Sequence, residues 1–371
     1  MHRSQARDLL RKHREGTLTP EEHALLESWY LRQARSKGLD QETMREHLDH
    51  LELPLPRETR RPAWKWISAA AAVLIVLASG LFFFNRSVPV AQEPVPVNDA
   101  LPGDNRARLT LANGEGILLD EASRGKLAQE GNTSIVKTGE GELVYNAGGS
   151  SATGKTMLYY NTIETPKAGQ YHVRLSDGTV VWLNAASSIR FPTEFDAHGR
   201  VVEVVGEVYF EVAQVSNGTK RVPFKVVSGN QEVEVLGTRF NINSYSDEGE
   251  IRTTLIEGSI QVRTSRKEII LRPGQQARVS GEQTLKVSQV NTGHVLAWKE
   301  GYFSFDGVGL QELMRQLSRW YDMEVEYEGN IGEYEFVGQI SRNTRLSAVL
   351  RILEAGGVRF RVEGKKIIVS E

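Results

Sequence analysis

The run Trp66–Phe84 reads WISAAAAVLIVLASGLFFF and holds no charged residue or histidine across 19 positions. As a helix rising about 1.5 Å per residue it covers about 28 Å, the hydrocarbon thickness of a bilayer. A buried soluble helix is the competing reading, but the run offers no polar stripe to show to water. A cleaved leader fits poorly, because 65 residues precede it. Arg57, Arg60, Arg61 and Lys65 flank the run on one side, beside Trp64 and Trp66, and only Arg86 follows closely. Positive flanks stay in the cytoplasm. The sequence therefore predicts a single-pass inner-membrane protein, with residues 1–65 cytoplasmic, a transmembrane helix over 66–85, and the rest in the periplasm.

Residues 1–65 carry 13 Lys and Arg against 11 Asp and Glu. Three short helices fit there. The first stops at Gly16, a C-terminal cap. The second starts at Thr19, with Pro20 at the first helical position and Glu22 completing a capping box. The third follows Asp40 and runs to about Leu51. Leu25, Leu26, Trp29 and Tyr30 make an apolar stripe on the second helix. Such a core is marginal and gains from a partner. Leu25, Trp29 and Tyr30 are thus candidates for a partner surface, with core packing as the other reading. Glu21, Glu22, Glu27, Asp49 and Glu52 break up any basic face, and the chain's net charge is −2, so direct nucleic-acid binding is not expected. His47 and His50 sit three apart, yet the chain has no cysteine and no third ligand presents itself, so no metal is expected.

Beyond the apolar run, residues 86–106 contain Pro89, Pro94, Pro96 and Pro102 among valines, the composition of an extended, unpacked linker. From 107 to 295 short β-patterned runs alternate with glycine turns. Asn113-Gly114 and Asp177-Gly178 are hairpin signals in which both turn residues can take positive φ. The two hairpins align at an offset of 64, Leu109, Leu111, Asn113 and Gly114 matching Val173, Leu175, Asp177 and Gly178, as in a repeated unit. A mainly antiparallel sandwich or roll follows. Residues 298–371 change character. Leu310, Leu313, Met314, Leu317, Trp320 and Tyr321 recur at helical spacing, as do Leu346, Val349, Leu350 and Leu353, giving the order β-α-β-β-α-β-β. The fold expected is multi-domain α+β: a helical head, one spanning helix, a β domain and a small C-terminal α+β domain.

Gly149–Thr156, GSSATGKT, satisfies the phosphate-loop pattern, but the residues after it, MLYYNTIETP, read as a strand where the motif needs a helix. No G-x-S-x-G or H-E-x-x-H occurs, and His172, His198 and His294 lie far apart. Glu203, Glu207 and Glu211 read as solvated strand surface. Neither an enzyme nor a cofactor is expected.

Taken together, several stretches resemble the FecR family of transmembrane anti-sigma regulators. They are LLRKHREGTLTPEEHALLESWY in the head, TPKAGQYHVRLSDGTVVWLNAASSIRFPTEF, RVVEVVGEVYFEVA, VEVLGTRFNINSY and TTLIEGSIQV in the β domain, and WKEGYFSFDGVGLQELMRQLSRWYDMEVEYEG in the tail. The tail is similar to the C-terminal domain of Bacteroidetes-type members and to the N-terminal signalling domain of secretins and TonB-dependent receptors. The resemblance implies that the head binds an extracytoplasmic-function sigma factor and that the outer body contacts the signalling domain of a TonB-dependent outer-membrane transducer. Some relatives cleave themselves at a Gly-Thr bond, which maps to Gly237-Thr238. There Thr238 Oγ would attack the preceding carbonyl, while a glycine demanded by a tight bend is the plainer reading. A membrane-anchored periplasmic module that binds an envelope ligand such as a glycan is the alternative function.

Overall fold

The computed structural model describes residues 12, 19, 22, 99–139, 141–148, 159–196, 199–280, 284–329 and 331–371. The chain divides into two compact units, Met1–Asp99 and Ala100–Glu371. Trp66–Phe84, Gly149–Thr156, Leu25, Trp29, Tyr30 and His198 lie outside the described residues. Among the described residues no helix is long and apolar enough to cross a membrane.

In the first unit the capping box is present. Thr19 Oγ1 accepts from the Glu22 N–H at 3.3 Å, and Glu22 Oε2 accepts from the Thr19 N–H at 3.1 Å. Lys12 Nζ sits 2.5 Å from Glu22 Oε1. Lys12 and the Thr19 N–H hold the Glu22 carboxyl below the usual carboxylate range.

The second unit is mostly β. Among the described residues nineteen strands join into one continuous sheet, which folds into two layers around a shared core. One layer runs in the order Gly116–Leu118, Arg108–Thr110, Tyr160–Glu164, Ser188–Pro192, the first half of Arg200–Glu211, Phe224–Ser228, Gln231–Val235, Ile260–Thr264 and Glu268–Leu271. The other runs Gly125–Glu130, Thr133–Lys137, Leu143–Ala147, Gly169–Arg174, Val180–Leu183, the second half of Arg200–Glu211, Arg239–Ser244, Glu250–Glu257, Gln275–Ser280 and Leu285–Gln289. The long strand Arg200–Glu211 belongs to both layers. It changes partners at Gly206, whose φ is +85°, and a Cβ there would run into Ser187 and the Ala186 carbonyl at 2.8 Å. Only glycine supplies that bend. Val202, Val204, Val208 and Phe210 point into the core along this strand.

Both predicted hairpins form, through a different turn from the one the dipeptides suggest. Only the glycines, Gly114 and Gly178, adopt positive φ. Leu111 bonds to Glu115 and Gly114, and Leu175 bonds in the same way to Thr179 and Gly178. This is a turn closed by a glycine bulge rather than a two-residue mirror turn. Asn113 and Asp177 contribute by side chain, accepting the Glu115 and Thr179 N–H groups at 2.9 Å each.

The C-terminal lobe has the order the apolar spacing suggests. Tyr302–Gly309 pairs with Glu335–Ser341, and Glu324–Tyr327, Lys366–Ser370 and Arg359–Glu363 form a second small sheet. Helix α1 (Thr292–Leu296) leads into the lobe, followed by α2 (Leu310–Tyr321) and α3 (Leu346–Glu354). Every apolar residue read onto an inward helical face is buried. The lobe has its own core, to which the sandwich contributes Ala185 among the fully buried residues.

The linker reading of 86–106 needs correction at its end. Ala100–Asn105 is hydrogen-bonded to the rest of the second unit, although Leu101, Asp104 and Asn105 stay exposed. Asp104–Asn105 forms a parallel bridge with Gly169–Gln170, and the Asp104 N–H donates to the Ala168 carbonyl. Proline-rich composition reports stiffness, and a stiff extended segment suits an edge pairing as well as it suits solvent.

Candidate functional site

The C-terminal lobe sits on the outer face of the second layer, and the junction is polar. On that face the strands place Asn184, Glu207 and Asn241 side by side, because Tyr209 is opposite both Trp182 and Asn241 in register. Asn184 Nδ2 donates to Glu207 Oε2 at 2.8 Å, and Asn241 Nδ2 donates to Glu207 Oε1 at 3.1 Å. The lobe completes the circuit. Arg342 donates through NH2 to Asn184 Oδ1 at 2.8 Å and through NH1 to the Trp298 carbonyl at 3.0 Å, and Trp298 Nε1 donates to Asn241 Oδ1 at 3.2 Å. The Arg342 guanidinium also stacks 3.6 Å from the Trp320 ring centroid.

A second set of contacts runs along α2. Arg319 forks onto Asp247 at 3.0 and 2.9 Å and reaches Glu248 at 2.5 Å, lying over the Tyr245 ring. Arg315 meets Glu248 at 2.8 Å, and Arg252 meets Glu312 at 2.6 Å. A cavity of about 180 Å³ remains in the junction, lined by Glu207, Asn243, Thr254, Gln276 and His294 among others.

These groups titrate as their surroundings dictate. Burial pushes the Glu207 carboxyl above the ordinary carboxylate range, against the two asparagine hydrogen bonds and the charges of Arg319 and Arg342. Burial pulls the Arg342 guanidinium down to about 10. Glu248 is also buried, but its hydrogen bonds to Arg315 and Arg319 prevail and hold it below its usual range. The arrangement locks one lobe onto the other by geometry-specific polar contacts. Among the described residues, no group of three His, Cys, Asp or Glu side chains could hold a metal.

Glu207 was expected on solvated surface and is enclosed instead, because the lobe covers its face. Glu203 fits the expectation, being exposed and paired with Arg190 at 3.2 Å, and Glu211 is partly exposed. Sequence reading also missed Asn184, Asn241, Arg319 and Arg342. The one available signal was the alternation of asparagines in FNINSY beside an acid in GEVYFEV, a polar row without a repeating charge.

Gly237 and Thr238 lie at a bend between Gln231–Val235 and Arg239–Ser244, away from this junction. The bend lines an open cleft of about 910 Å³ with Arg174, Gln214, Arg239 and Glu257. Gly237 has φ of +146°, and a Cβ there would collide with the Gln214 side chain. Thr238 is buried, and its hydroxyl donates to the Ser259 carbonyl at 3.1 Å. The remaining chemical candidates stay apart. His172 stacks near Trp182, His294 contacts Ser304 and Asp306, and the chain after the GSSATGKT run is a strand by Tyr160.

Comparison with known proteins places these elements. Residues 161–261 match the model of the FecR protein family, and residues 302–369 match that of the FecR C-terminal domain. A crystal structure of a "putative anti-sigma factor" from Parabacteroides distasonis ATCC 8503, at 1.65 Å resolution, is 29% identical with a TM-score of 0.52. That match spans 56% of this chain and 97% of the other. A second structure described in the same words, at 2.50 Å, is 28% identical with a TM-score of 0.52, spanning 57% and 99%. No curated relative matches the chain.

Proposed function

The chain belongs to the FecR family, carrying its central and its C-terminal domain, and from that premise we propose that it is an inner-membrane anti-sigma regulator. The observation that carries this reading is the succession of the two family domains in one docked unit, with the apolar run Trp66–Phe84 ahead of them. In this reading residues 1–65 bind an extracytoplasmic-function sigma factor in the cytoplasm, with Leu25, Trp29 and Tyr30 as the surface to test. The second unit stands in the periplasm and receives the signalling domain of a TonB-dependent outer-membrane transducer. No chemistry on a substrate is required. The protein acts by exchanging contacts.

The receiving surface we favour is the two-stranded sheet Tyr302–Gly309 with Glu335–Ser341. Each strand has one partner strand among the described residues, so the sheet offers a backbone edge to an added strand. Tyr302 and Val337 stand 42% and 59% exposed on it, apolar contacts that a partner would cover. The test is co-purification of the full chain with the sigma factor encoded nearest to it, beside a reporter for that factor. A stable complex with altered transcription is expected. No complex with any such factor of the same genome would return the protein to the envelope-ligand alternative.

A further inference from the structure

The chain enters its second unit through the junction of the two lobes. Ala100–Asn105 touches both. On the lobe side, the Leu346 N–H at the start of α3 donates to the Ala100 carbonyl at 3.2 Å, and α3 has no side-chain cap of its own. The incoming segment therefore accepts the first N–H of α3, which no carbonyl within the helix can reach. Gly103 lies against the Trp320 ring, where a Cβ would come within 2.8 Å of two ring carbons and 2.9 Å of the Ala168 carbonyl. On the sandwich side, the Asp104 N–H donates to the Ala168 carbonyl at 3.0 Å, and Asp104–Asn105 bridges Gly169–Gln170. Ala168 itself, held at φ of +56°, donates its N–H to the Arg319 carbonyl at 2.8 Å.

The two lobes meet mostly outside their cores, Ala185 being the fully buried sandwich residue that the lobe's core encloses. Their main apolar clusters are separate, and the contact between them includes the Arg342 circuit, the ion pairs that join α2 to Asp247, Glu248 and Arg252, the Ala168–Arg319 backbone bond and a cavity of mixed polar and apolar lining. Relative motion of lobes within a chain is the default unless their junction is large and hydrophobic.

We propose that Ala100–Asn105 is a strap whose attachment is coupled to docking of the C-terminal lobe. With the lobe docked, Trp320 and α3 hold the strap against Ala168. When a partner displaces the lobe, the strap loses its Ala100 and Gly103 contacts. The coupling is reciprocal, since a strap drawn away uncaps α3 and loosens the lobe. This device does not depend on which partner displaces the lobe, so it stands or falls apart from the anti-sigma reading.

Hydrogen exchange of the full chain, resolved by mass spectrometry, tests it from both ends. Glu248→Gln, on the sandwich, cuts the charge that holds Arg315 and Arg319 of α2 and touches neither the strap nor Trp320. Exchange of the Asp104 and Leu346 amides should rise at least tenfold, while sandwich amides such as Val208 and Ile242 stay as protected as in the parent. Gly103→Ala disturbs the strap against the Trp320 ring, away from Glu248, and it should raise exchange at Ala168 and along Leu310–Tyr321. The proposal is overturned if Glu248→Gln frees the junction while Asp104 and Leu346 keep their protection. It is equally overturned if Gly103→Ala frees only the strap, or if either variant raises exchange uniformly through the sandwich, since the lobes then open only by unfolding together.

Discussion

Arg200 is 1% exposed and holds three acceptors at once: Asp177 at 2.6 Å, the Ala213 carbonyl at 2.8 Å and the Val222 carbonyl at 2.8 Å. It thereby ties the Asp177-Gly178 hairpin turn to the loop between Glu211 and Phe224. Arg200→Met keeps most of the stem volume and removes the charge. Breaking a buried pair from one side costs about 3–5 kcal/mol, because the other charge stays buried. Asp177 retains the Thr179 N–H at 2.9 Å and the Thr179 hydroxyl at 2.8 Å, so the low end applies, about 3 kcal/mol. At about 2–4 °C per kcal/mol for a unit of this size, the melting temperature falls by about 6–12 °C. Asn in place of Asp177 can accept from the Thr179 N–H and donate to its hydroxyl. The double variant Arg200→Met/Asp177→Asn should therefore recover about 1–2 kcal/mol of the loss, leaving the two orphaned carbonyls as the residue. Urea unfolding followed by circular dichroism measures both. A single variant within about 0.5 kcal/mol of the parent, or a double variant worse than Arg200→Met, would refute the reasoning.

Glu207 gives a pH signature. Its folded-state pKa is raised, so the native state holds the proton more tightly than the unfolded chain. The stability this contributes is full at acid pH and is lost as pH rises from about 4.5 through the folded value. Glu207→Gln should remove that downward slope in pH-dependent melts, and an unchanged slope counts against an enclosed carboxylate. Gly206→Ala, at φ of +85° and against Ser187, should lower stability by more than about 2 kcal/mol, and a near-neutral effect in chemical denaturation would contradict the two-layer bend. Self-cleavage at Gly237-Thr238 predicts two fragments meeting at that bond on intact-mass analysis of purified chain, and none from Thr238→Ala. Full-length chain from both excludes it and leaves the glycine as a bend residue.

Local rules carried much of the fold. The turns at Asn113-Gly114 and Asp177-Gly178, the capping box at Thr19 and Glu22, and the buried faces of α2 and α3 all depend on residues within a few positions of one another, so spacing and side-chain chemistry reveal them. The type of turn was misjudged because a dipeptide does not report loop length, and the glycine bulge needs one more residue than the mirror turn. The candidate site was far less visible. Glu207 and Asn241 are 34 residues apart and Asn184 and Arg342 are 158 apart, and no local pattern links them.

The amino-acid sequence by itself determined where strands and helices form, which side of each turns inward, and that a bilayer-length apolar run precedes them, because these follow from periodicity, turn chemistry and the cost of exposing apolar surface. Tertiary structure alone decided what the outward sides meet. An alternating strand presents the same polar row whether it faces water or another lobe. It is the docking of the C-terminal lobe that turns Glu207 from a surface acid into an enclosed one and draws Ala100–Asn105 out of the linker into the junction.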